Sequence, residues 1–127
     1  AIEVETGPEI LSGSTRLKAG TAEKLILNMI STVSMIETGK VYKNLMVDVQ
    51  QTNEKLMVRA ENIVMQAVDC QREEAKSALV ESGGEAKTAI LKLLLGVDVE
   101  AARGMLEQSG GKIRSAVQMS RQNRHML

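Results

Sequence analysis

The sequence predicts a mainly α-helical protein, and three observations lead to that reading. Two stretches, Ala22 to Ile36 and Leu56 to Val68, carry apolar residues at helical spacing. From Cys70 onward the chain is divided by glycines into short helical lengths. The clearly alternating run, Ala1-Ile2-Glu3-Val4-Glu5, has no partner strand downstream, which is how a fragment begins.

Taken in order, residues 1 to 5 read as a strand that Gly7-Pro8-Glu9 breaks, and Ile10 to Gly20 as a loop rich in Gly, Ser, Thr, Arg and Lys. Thr21 is placed to cap the first helix, with Ala22, Leu25, Ile26, Met29, Val33 and Ile36 on its apolar positions and Gly39 to end it. Lys40 to Gln51 stays unassigned, because Leu45-Met46-Val47 suits a strand or an extended loop. Thr52 is the expected cap of a second helix. That helix carries Leu56, Ala60, Ile63, Val64, Ala67 and Val68 on one side, and Lys55, Arg59, Asn62 and Gln66 on the other. Three or four short helices follow, at about 71–82, 84–95, 98–108 and 111–119. The tail from Ser120 to Leu127 has no periodicity and is expected to fray.

Cys70 to Ile90 aligns with Val97 to Val117 at an offset of 27, with seven identities in 21 positions, Ser82-Gly83-Gly84 over Ser109-Gly110-Gly111 among them. This reads as a duplicated helix–Ser-Gly-Gly–helix hairpin, in which glycine supplies the left-handed backbone that ends one helix and lets the next begin. Two unrelated hairpins sharing a common glycine stop are the alternative.

Composition removes several function classes. Lys+Arg and Asp+Glu are both 16, so no overall field draws nucleic acid or an anionic membrane. Tyr42 is the only aromatic residue, which argues against base stacking. One cysteine and one histidine cannot make a zinc site or a disulfide framework, so no structural metal is expected, and no residue pattern calls for a cofactor. A lone thiol and the lack of a run of roughly 20 apolar residues fit a soluble protein of the cytoplasm.

Two constellations remain. Ser12 to Thr21 places hydroxyls, Arg16, Lys18 and two glycines ahead of a helix N-terminus, where free N–H groups and the helix dipole favour an anion such as phosphate. A polar connection whose threonines merely cap is the alternative. Lys55 and Arg59 stand four apart on one helical face, where their repulsion reverses if something negative sits between them. Otherwise they are an ordinary solvated face. No nucleophile–base pair is present, and no glutamate is singled out as an acid or base.

Gly13-Ser14-Thr15-Arg16-Leu17-Lys18-Ala19-Gly20-Thr21-Ala22, Asn44-Leu45-Met46-Val47-Asp48-Val49 and Thr52-Asn53-Glu54-Lys55-Leu56 resemble the bacterial N-acetylmuramic acid 6-phosphate etherases. The likeness runs from Gly7 to about Val117. It implies the C-terminal helices of an α/β sugar isomerase (SIS) domain over 1–58, a small helical module similar to the ubiquitin-associated (UBA-like) fold over 59–119, and a disordered tail over 120–127. It further implies a cytoplasmic homodimeric lyase that removes D-lactate from N-acetylmuramic acid 6-phosphate in cell-wall recycling. Its catalytic glutamates would lie upstream, leaving this piece inactive alone. Lys55 and Arg59, then Ser14, Thr15, Arg16 and Lys18, would face the amino-sugar phosphate. No ubiquitin binding is implied. A non-catalytic sugar-phosphate-binding regulator or a helical interaction module is the alternative.

Overall fold

The computed structural model describes residues 1–125, and it is mainly helical, as the periodicity predicts. The described elements are α1 (Lys18–Glu37), a hairpin of β1 (Val41–Tyr42) and β2 (Leu45–Met46), and then α2 (Glu54–Val68), α3 (Arg72–Glu81), α4 (Ala86–Leu95), α5 (Val99–Gln108) and α6 (Ile113–His125). The chain divides into two units, Ala1–Met35 and Ile36–Leu127. The boundary expected between 58 and 59 falls inside α2, which runs unbroken from Glu54 to Val68 with its buried residues, Ala60, Ile63, Val64 and Ala67, all after that point.

In the first unit, residues 1–9 form no strand, contrary to expectation. An extended segment needs a partner edge, and the rest of this unit is loop and helix. Helix α1 opens at Lys18, earlier than a Thr21 cap would have it. Thr21 instead sits inside the first turn, its hydroxyl donating to the Leu17 carbonyl at 2.7 Å. No residue of α1 is buried, although Leu25, Leu27, Met29, Ile30 and Val33 are all large and apolar.

The second unit holds the core. Gly39, at φ 72°, ends α1 as expected, its N–H bonding the Ile36 carbonyl. The unassigned stretch is an antiparallel hairpin pairing Val41 with Met46 and Tyr42 with Leu45. Its turn carries Lys43 at φ 55°, and the Lys43 ammonium reaches back to the Ala67 carbonyl near the end of α2. Helix α2 is capped by Asn53, one residue later than expected, whose Oδ1 accepts from the Leu56 N–H at 3.0 Å. Ala60, Ile63, Val64 and Ala67 then face α3 and α4. Small alanines let the helices approach, while Val64, Ile90, Leu91 and Ile113 fill the centre, each fully buried and contributing on the order of 2 kcal/mol.

The two Ser-Gly-Gly turns share the same glycine conformations and the same backbone bond closing the helix before them. Gly83 and Gly110 sit at φ 65° and 62°, and Gly84 and Gly111 at 86° and 75°. The Gly84 N–H bonds Leu79 O at 2.8 Å, and the Gly111 N–H bonds Leu106 O at 2.7 Å. The register extends upstream of what the sequence alignment covers. Asp69 and Gly96, also 27 apart, both end their helices in the left-handed region with the N–H on the carbonyl four residues back. Helices α2, α4 and α6 are therefore equivalent members of one repeating stack. The expected frayed tail is corrected over its described part: α6 runs to His125, because Ile113 and Ala116 anchor its first turns in the core. Residues 126 and 127 lie outside the described residues.

Candidate functional site

The loop predicted to hold an anion is already supplied with one. The two carboxylate oxygens of Glu9 accept from the Lys18 and Ala19 N–H groups at the start of α1, each at 3.0 Å. Those backbone bonds, Ala19 first and Lys18 second, hold the Glu9 carboxyl below the usual carboxylate range. The remaining turn amides are bonded within the loop, Gly20 N–H to Thr15 O at 2.8 Å and Leu17 N–H to Ser14 O at 3.2 Å. Ser14, half-buried, and Thr15, Arg16 and Lys18, all exposed, thus surround a seat that Glu9 fills. In the sequence Glu9 stands out only as part of the Gly7-Pro8-Glu9 strand breaker. A carboxylate reaching a helix start nine residues on leaves no local signature.

Lys55 and Arg59 lie on the outward side of α2, opposite Ala60, Ile63 and Val64, and both are exposed. Neither forms a hydrogen bond or ion pair among the described residues. Lys55 stands in the first turn, where the positive end of the helix dipole disfavours a cation. Glu54 beside it offsets part of that cost. Met57 and Val58, also in the first turns of α2, are exposed at 49% and 44%. Asn62, predicted on the same side, accepts from Arg72 at 2.8 Å, and Glu61 pairs with that guanidinium at 2.6 Å. Arg72 is thereby neutralised, and Lys55 and Arg59 remain the uncommitted cations of α2.

A cleft of about 600 Å³ in the second unit escaped sequence reading. Its walls are the extended residues 47–51, the first Ser-Gly-Gly turn with the start of α4, and Arg103, Leu106 and Glu107 of α5. Arg103 donates to Glu85 at 3.2 Å, to Glu100 at 3.1 Å and to the Ser82 carbonyl at 3.3 Å. Thr88 donates to the same Glu85 oxygen at 2.8 Å, and with Arg103 it holds the Glu85 carboxyl below its usual range. This network satisfies itself and ties one repeat to the next. The signal for it was Arg103 standing where the first copy has Lys76. Among the described residues no His, Cys, Asp and Glu group has metal-holding geometry. No helix is long and apolar enough to cross a membrane.

Comparison with known proteins places these features in context. Residues 43–88 match a family model described as the C-terminal lid domain of glucokinase regulatory protein. Over 118 residues, 93% of this chain and 38% of the relative, the sequence is 58% identical to N-acetylmuramic acid 6-phosphate etherase 2 of Vibrio cholerae. It is 56% identical over 116 residues to the N-acetylmuramic acid 6-phosphate etherase of Cutibacterium acnes, and 57% over 116 residues to that of Halalkalibacterium halodurans. These cover 91% of this chain in each case, and 38% and 39% of the relatives. The chain thus spans a little over a third of the length of the curated relatives it matches.

Proposed function

We propose that this chain is the C-terminal part of a lyase of the N-acetylmuramic acid 6-phosphate etherase family, cleaving the D-lactyl ether of that sugar phosphate to N-acetylglucosamine 6-phosphate and D-lactate in peptidoglycan recycling. The observation that carries the reading is identity above one half to curated etherases across nine-tenths of the chain. In this reading the acid and base glutamates belong to the rest of the polypeptide, an SIS domain to which residues 1–58 contribute, and residues 59–119 are a UBA-like helical module. The protein works in the cytoplasm as a homodimer, without metal, nucleic acid or ubiquitin. The bare apolar surface of α1 gives the isolated chain a tendency to self-associate.

Lys55 and Arg59 are assigned to the phosphate or carboxylate of the substrate. Their support is local: two cations one turn apart with no side-chain partner among the described residues, of which Lys55 stands in the first helical turn, where a cation is otherwise unfavourable. Ser14, Thr15, Arg16 and Lys18 are secondary contacts, since an anion at that loop competes with Glu9 for the α1 amides. The lid-domain match over 43–88 favours a second reading, a sugar-phosphate-binding regulator without lyase activity.

The test is D-lactate release from N-acetylmuramic acid 6-phosphate by the full-length protein. Release is expected from the full-length protein and not from this chain alone. Lys55→Met is expected to raise KM about tenfold or more, the usual scale for losing a charge-assisted bond. Binding of the sugar phosphate without lactate release sinks the lyase reading in favour of the regulator.

A further inference from the structure

We infer that Gln51 is a positioning residue for Lys55, acting through the first Ser-Gly-Gly turn. The inference rests on the assignment of Lys55 to the substrate, and it starts from how the chain reaches α2. Val47 closes the hairpin, 1% exposed, with its N–H on the Lys40 carbonyl at 2.9 Å. Asn53 opens the helix. Residues 48–52 between them have no regular structure, so side chains must fix their course.

Three ties are available to those residues. Asp48 pairs with Lys40 at 3.3 Å, but both are 42% exposed and the contact only leads back to the hairpin. Val49 is half-buried against the core, a contact without directional demand. Gln51 alone makes a directed bond to the helices, its Nε2 donating to the Gly84 carbonyl at 2.9 Å, across 33 residues and partly out of solvent. Gly84 sits at φ 86°, and a Cβ built there would lie 3.6 Å from the Gln51 carboxamide, so the glycine backbone itself forms the surface against which Gln51 rests.

The repeat supplies an independent parallel. Gly111, the counterpart of Gly84, also presents its carbonyl oxygen to an incoming segment: a Cβ on Gly39 would lie 2.6 Å from it. In both copies the second glycine's carbonyl is where chain from outside the hairpin docks, just after α1 in one case and just before α2 in the other. Lys55 is four residues beyond Gln51, exposed and, among the described residues, without a side-chain bonding partner of its own. Its location therefore follows the backbone of the first turn, which Asn53 caps and Gln51 anchors.

The experiment uses the full-length protein with Gln51→Met, which keeps length without a donor, and Gln51→Glu, which keeps shape and places an acceptor against the Gly84 oxygen. Both are expected to raise KM for the sugar phosphate about fivefold, the scale of one hydrogen bond, with kcat and the melting midpoint nearly unchanged. In a Lys55→Met background, Gln51→Met is expected to add nothing. Unchanged KM in both variants overturns the inference, as does an equal rise in the Lys55→Met background. If Lys55→Met itself leaves KM at the wild-type value, the substrate assignment falls and takes this inference with it. A Lys55→Met effect without a Gln51 effect removes the inference alone. Melting curves on both Gln51 variants separate a lost anchor from a lost fold.

Discussion

Gly39 is held by two constraints of different origin. Its φ of 72° is a conformation L side chains rarely adopt, and the Gly111 carbonyl oxygen stands 2.6 Å from where a Cβ would be. The neighbour is backbone, so it cannot swing away. Gly39→Ala is expected to destabilise the second unit by about 2–3 kcal/mol in chemical denaturation, from backbone strain plus displacement of the second turn. Its helix-ending role was legible from sequence; what it touches, 72 residues further on, was not. Ser82 carries the same lesson in reverse. It repeats as Ser109, yet Ser109 donates to the Leu106 carbonyl at 3.0 Å while the buried Ser82 hydroxyl has no hydrogen-bond partner among the described residues. Identical residues at equivalent positions meet different surroundings.

At the scale of elements, the position after each Gly-Gly pair has exchanged sign between copies. Glu85 follows the first and is bonded by Thr88 and Arg103, whereas Lys112 follows the second and pairs with Glu37 at 3.0 Å. Each turn thus recruits a complementary charge from a neighbouring segment. The Glu85 carboxyl, lowered first by Thr88 and then by Arg103, contributes stability that is present above the ordinary carboxylate pKa and lost as pH falls through its lowered folded value. Glu85→Gln is therefore expected to flatten the acid limb of the melting midpoint against pH by lowering the midpoint near neutrality, modestly because the carboxylate is half exposed, with parent and variant converging at low pH. An acid limb as steep in the variant as in the parent chain would show that other carboxylates govern it.

For the whole molecule, the two units differ in what holds them. Residues 1–35 include no buried residue, while Ile36–Leu127 contains the aliphatic core. A chain of residues 36–127 is expected to melt cooperatively within a few degrees of the full chain, and residues 1–35 alone to show little helix by circular dichroism, since an isolated helix of that length is marginal. The two copies also differ in the second helix of the hairpin. Leu91, Leu93, Leu94 and Leu95 of α4 correspond at the 27-residue offset to Gln118, Ser120, Arg121 and Gln122 of α6. The second copy is thus the more polar at these positions.

The sequence by itself determined the helical class, the approximate limits of α2 to α5, the glycine stops and the duplication, because all of these are written in spacing between near neighbours. It also placed Lys55 and Arg59 on the side of α2 away from the core, since helical period alone separates them from Ala60 and Val64. Tertiary structure decided what depends on distant chain. The α1 amides are filled by Glu9, the unassigned stretch pairs with itself as a hairpin, and Arg103 crosses from one repeat to the other. It also hooked Gln51 on Gly84, 33 residues away. Periodicity reports which side of an element is apolar; which groups meet across elements is fixed only when packing brings their backbones together.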